Sequence, residues 1–238
     1  MEKSEENFSS KDKVNISSEE AKQTINEVKN TIKNVDLKSD ARVAKGFFKD
    51  FFKNPIDQLK KVATDTKNNF LKTAIIILII WLVSIFFKNV FSVANTYLFG
   101  YIGSFSYFFK HLFSNILTIL KGLVAPFISV LVLSTTVYCL QKNKNKSFLS
   151  IISTILVSKI PVVVSVIASL LSIMDLQILK LTSVFSTYCD ILSTILLFFG
   201  IKFLSGEEEN SKYFEKFALI IGIFYIIKLV FSYLGIIL

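Results

Sequence analysis

Three ionisable residues stand inside otherwise uncharged apolar runs: Lys159, Asp190 and Lys228. In hydrocarbon a single charged side chain costs about 2.5–3.5 kcal/mol even on the mildest insertion scale, so such residues mark a pair or a pathway. Asp190 is tenth of the 21 residues Leu181–Ile201, and Lys228 is twelfth of the 22 residues Phe217–Leu238. Lys202 and Lys216 mark the facing ends of these runs, and each charged residue lies twelve positions from its marker. As antiparallel helices, the runs bring both groups to one depth, about 18 Å from those ends at ~1.5 Å per residue. The expectation is an intramembrane Asp190–Lys228 pair that fixes how two helices pack, with a proton or ion route as the alternative. Lys159, two residues before Pro161, reads as an interfacial anchor.

Other chemistry has little to stand on. The chain has one histidine and lacks HExxH, a GxSxG elbow, a phosphate-cradling glycine loop and paired cysteines at zinc spacing. An intramembrane aspartyl mechanism needs two embedded carboxylates, and Asp190 alone qualifies. No catalytic, cofactor or metal site is expected, and no nucleic-acid partner. Cys139 and Cys189 fall inside apolar runs and read as free, small hydrophobes.

The elements that must hold the three charges are long apolar helices. Hydrophobic residues are 52% of the 238, and they concentrate after position 70. Residues 1–72 carry 15 Lys+Arg and 12 Asp+Glu, while the other 166 carry 12 and 6. A soluble domain does not sustain that imbalance. With 24 Phe but only 8 Gly and 3 Pro, helices are favoured over a barrel. The fold class expected is an all-α polytopic membrane bundle of about five spans, with a polar, helical N-terminal region.

Residues 1–17 read as a disordered tail and 18–69 as a helical region at the membrane surface. Ser17 and Glu20 form a capping box, and Ala21, Ile25, Val28, Ile32 and Val35 make a narrow stripe. Sharper is RVAKGFFKDFFK: on a helix, Phe47, Phe48, Phe51 and Phe52 share one arc, and Lys45, Lys49 and Lys53 step along another. Aromatics beside a lysine row describe a helix lying on an anionic leaflet, or an aromatic stripe buried against other protein. Asn54-Pro55 then opens a new helix, with Asn54 as its cap.

Residues 70–238 hold the spans. The first is Thr73–Phe87, extended by Phe70, Leu71, Val90 and Phe91; the aromatic-rich stretch to Lys121 reads as an outer-surface segment. The second is Gly122–Gln141, with Pro126 in its first turns. Ser147–Ser158 reads as an interfacial helix and Ile160–Met174 as the third span; Leu181–Ile201 and Phe217–Leu238 are the fourth and fifth. With the N-terminus inside, the cytoplasmic flanks hold eleven lysines and the outer segments four, so the C-terminus lies outside. Lys-, Asn- and Ile-rich usage points to a bacterial plasma membrane. The partners expected are anionic lipid at the cytoplasmic surface and other membrane or cytoplasmic proteins, further copies of the chain included.

The plan of a polar N-terminal region, five spans, an amphipathic stretch with a proline entering the third, and an end at the fifth resembles the Yip family of membrane domains. The most similar portion is 147–238, in SFLSIISTILVSKIP and LFFGIKFLSGEEENSKYFEKFALIIGIFYIIKLV. The resemblance implies a membrane scaffold or adaptor without catalytic activity; a transporter or channel component using Asp190 and Lys228 is the rival.

In a background with Cys139 and Cys189 replaced by alanine, single cysteines at Asn145 and Ser211 should be shielded in intact cells from an impermeant thiol reagent. One at Ser106 should label. Labelling at Asn145 refutes the orientation.

Overall fold

The computed structural model describes residues 37–97, 105–140, 146–171, 176–206 and 210–233, together with 22, 25–27, 29, 30 and 33. Every element described is helical: α1 Leu37–Lys53, α2 Pro55–Thr64, α3 Leu71–Tyr97, α4 Phe105–Ser114, α5 Ile116–Leu140, α6 Phe148–Ser158, α7 Ile160–Leu171, α8 Leu176–Ser205 and α9 Asn210–Tyr233. The Ser17–Glu20 cap and most of the stripe after it lie outside these residues; Ile25 is exposed. Three helices are long and apolar enough to cross a membrane, within Leu71–Asn95, Ile116–Leu140 and Leu181–Ser205. A fourth crossing exists if α6 and α7, bent by 42° at Lys159, make one broken span. The protein is membrane-embedded.

The bundle is built around α6, which packs on α2, α3, α5 and α8. All of α6 from Leu149 to Ser158 is buried except half-buried Ile152. Its place is therefore the core rather than the interface expected from the sequence. The reason lies in its hydroxyls. Ser150, Ser153, Thr154 and Ser158 look amphipathic on paper, but Thr154 donates to Ser150 O at 2.8 Å and Ser158 to Ile155 O at 2.7 Å. Back-bonding hides the polarity of these two, Ser150 Oγ is buried without a partner, and the small side chains let neighbouring helices come close.

The closest approach is at Gly200 of α8. A Cβ there would stand 2.8 Å from Thr154 Cγ2 and 3.4 Å from Leu59 Cδ2, so α2, α6 and α8 meet at one point. Leu59, Val62 and Ala63 seat α2 in the core, and Phe47 and Phe51 seat α1 beside it, with Phe47 5.8 Å from the Phe70 ring. We call the end of the bundle that carries α2 the proximal end. Asn54 heads α2 through its backbone alone, with no side-chain cap bond. The cap that matters is one the sequence reading passed over. Asp65 accepts from the N–H groups of Lys67 (3.0 Å) and Phe70 (3.2 Å) and from Asn69 Nδ2 (3.2 Å), folding the chain into α3. Asn68, in the left-handed region at φ 55°, accepts from Ser147 Oγ at 2.8 Å, and Ser147 in turn caps α6. That bond sets α3 and α6 level.

Two further boundaries move. α5 begins at Ile116, six residues earlier than Gly122, so Pro126 lies mid-helix rather than in the first turns. α9 follows a turn at Gly206, whose φ of +63° suits glycine, and it leans chiefly on α5, meeting α8 near that turn. There buried Tyr213 donates to Phe198 O, and the Phe198 ring packs edge-on to Phe217 at 5.0 Å.

Gly200→Ala should destabilise the detergent-solubilised protein by about 1–3 kcal/mol, because the Thr154 methyl is held in place by its hydroxyl bond. Adding Thr154→Ser, which removes that methyl and keeps the hydroxyl, should restore most of the loss in thermal unfolding. A Gly200→Ala protein as stable as the parent refutes the contact.

Candidate functional site

The structure places Lys159 at the bend between α6 and α7, Asp190 midway along α8 and Lys228 in the last turns of α9. Lys159 is the turn residue between α6 and α7. Its carbonyl accepts from Val163 N at 3.1 Å and its N–H reaches Leu156 O at 3.1 Å, so both Lys159 backbone groups are satisfied at the bend. Lys159 lies twelve residues from Ser147, about 18 Å from the proximal end. Its side chain is half-buried at the bend.

The contacts at Gly200 and Phe198 fix the register of the other two. α6–α7 and α8 run in opposite directions, and Gly200 is level with Thr154. Asp190, ten residues before Gly200, therefore sits about 7 Å beyond Lys159 along the bundle. Phe198 packs on both Tyr213 (4.8 Å) and Phe217 (5.0 Å), so Lys228 falls three to seven residues, about 4.5–10 Å, beyond the level of Asp190. Its side chain leans back toward the start of α9, which narrows that gap. Lys159 is within electrostatic reach of both Asp190 and Lys228. None of the three is joined to another by a hydrogen-bonded ion pair among the described residues. Asp190 is exposed on the outer surface of α8, and Lys228 is half-buried.

α8 also carries a buried hydroxyl that the sequence reading passed over. Ser193, one turn from Asp190, is buried on the face of α8 shared by Cys189 and Leu197, and its Oγ has no hydrogen-bond partner. No local motif flags it; only the register of α8 against the α6–α7 bend does.

The second group of sequence-selected residues lies on α1. Phe47 and Phe51 are buried against the protein and Phe48 is half-buried, while Phe52 stays 61% exposed. Three of the four rings of the arc are thus turned wholly or partly inward. Lys45, Lys49 and Lys53 are exposed and, with Arg42, form the face opposite the buried one. Among the described residues no group of histidine, cysteine and acidic side chains could hold a metal ion. No family profile, curated protein or solved structure matches this chain.

Replacing Lys159 by Met, Asp190 by Leu and Lys228 by Met, singly and in pairs, should show stronger coupling for Lys159–Asp190 than for Asp190–Lys228. The expected coupling energy of the first pair is about 0.5–3 kcal/mol, the range for residues sharing one network. Thermal unfolding in detergent measures it, and strict additivity for Lys159–Asp190 refutes their electrostatic contact.

Proposed function

We propose that this chain is an integral membrane scaffold or adaptor without catalytic activity, Yip-like in plan, with five spans, a cytoplasmic N-terminus and an outer C-terminus in a bacterial plasma membrane. The observation that carries the reading is the seating of α1 and α2 in the bundle core through Phe51, Leu59, Val62 and Ala63. A polar region tethered to a transporter has no need to share a core with its spans. One built into them is a rigid platform. Its outward face is basic, with Arg42, Lys45, Lys49, Lys53, Lys60 and Lys61 exposed against Asp50 and Asp57. Such a face, edged by Phe52, complements an anionic leaflet or an acidic partner protein. α9 supplies the fifth span. Its flanking Glu215 and Lys216 sit at the proximal end, and Lys228 is its one charge beyond them.

A second reading, a component of an ion or small-solute carrier, is favoured by one feature: the α6–α7 break with a lysine at it, since interrupted helices commonly line membrane binding sites.

Photo-crosslinking residues placed at Lys49 and Phe52 should capture a reproducible protein partner in native membranes, with Val184 on the spans as control. Proteoliposomes of the purified chain should be no more permeable to ions than protein-free ones. Flux that scales with protein, without crosslinks from α1, replaces the scaffold by the carrier.

A further inference from the structure

We propose that the acidic segment Glu2–Glu20 of this same chain occupies the lysine row of α1. The inference rests on the scaffold reading, in which that row is the outward face of the platform, and it names the resident occupant of the row. An anionic leaflet or an acidic partner protein then reaches the row by displacing the chain's own segment.

Charge selects the occupant. Residues 1–20 carry six acidic and three basic side chains, and Glu2, Glu5 and Glu6 are their densest group. Residues 42–61 reverse the balance, with six basic against two acidic. On α1, Lys45, Lys49 and Lys53 recur at every fourth position and Arg42 precedes them by three, so the four line one exposed strip about 17 Å long. Phe47 and Phe51 are buried on the opposite side, which fixes α1 about its own axis and keeps the strip turned outward.

Two contacts bring the root of the segment beside that strip. Asn68 donates through Nδ2 to Glu27 Oε2 at 3.4 Å, while its Oδ1 accepts from Ser147. Glu27 is thereby held at the proximal end. Phe70, two residues after Asn68, packs on Phe47 of α1 with ring centroids 5.8 Å apart. The chain preceding Glu27 therefore leaves the bundle next to the helix that carries the lysines. From Glu27 back to Glu6 is 21 residues, at most about 70 Å of extended chain and several times the length of the strip. A segment tethered this closely meets its site at an effective concentration on the order of millimolar. Surface ion pairs that are individually weak then hold it, and salt or a competing anionic surface releases it.

Carbodiimide coupling of the full-length protein in neutral detergent tests the assignment, because it joins carboxylates directly to lysine amines. At low salt, peptide mapping of the monomer band should link Glu2, Glu5 or Glu6 to Lys45, Lys49 or Lys53. Salt at about 0.5 M, which screens charges beyond a few ångströms, should remove most of these links. Glu2→Gln, Glu5→Gln and Glu6→Gln together should raise the affinity of the protein for soluble poly-glutamate several-fold. Adding Lys45→Gln, Lys49→Gln and Lys53→Gln should abolish that gain, and these three lysines are exposed, so the core is untouched. The proposal is overturned by the absence of links between 1–20 and α1, by links found only in a dimer band, or by poly-glutamate binding that ignores the glutamate substitutions. If any of these occurs while crosslinks from Lys49 still capture a partner in native membranes, the scaffold reading stands without its resident segment.

Discussion

Much of the structure depends on the approach of Gly200 to Thr154 and Leu59. An ordinary side chain at Gly200 would push α8 away from α6, because the Thr154 methyl stands 2.8 Å from where its Cβ would be. That methyl is not free to turn aside, since its hydroxyl is committed to Ser150 O. The contact therefore sets separation and register together. Register along α8 then decides which residues face the bend: Ser193 level with Pro161, and Asp190 a short step beyond. The same point admits Leu59, so the location of α2 and the spacing of two spans are one geometric fact.

Polar groups inside this bundle fall into two kinds. Hydroxyls satisfied within their own helix behave as small apolar residues, and they let α6 serve as the hub on which α2, α3, α5 and α8 converge. Lys159, Asp190 and Lys228 have no such local solution, because a side-chain charge cannot be met by its own helix backbone. The bend at Lys159 shows how the fold accommodates one of them. Lys159 keeps both its backbone bonds there, and Asp190 of α8 lies within electrostatic reach of its side chain.

The proximal end is tied by different means. Asp65 gathers three donors over five residues, and Asn68 hands the link on to Ser147 at the head of α6. Neither residue belongs to an apolar run, yet together they align α3 with α6 and bring Trp81 to the level of the bend. Phe47 and Phe51 complete this end by packing inward, leaving the lysine row of α1 as its outer surface.

Hydrophobic runs and their breaks are local properties, and they determined a good deal. The helical class, the apolar stretches of α3, α5 and α8, the break at Lys159–Pro161, and the isolation of Asp190 and Lys228 are all legible in the chain, because an apolar medium admits few alternatives to a helix. What faces what was decided only in three dimensions. A serine-rich amphipathic segment suits an interface or a crowded core equally well until its hydroxyls find their carbonyls, so α6 was legible as a helix and not as the hub. The aromatic arc of α1 suits lipid or protein equally, and the packing of Phe47 on Phe70 chose protein. Counting residues from flanking lysines gave Asp190 and Lys228 a common depth but not a common face. Which helix leans on which follows from side-chain shape at a few contacts, and those contacts brought Lys159 within electrostatic reach of both.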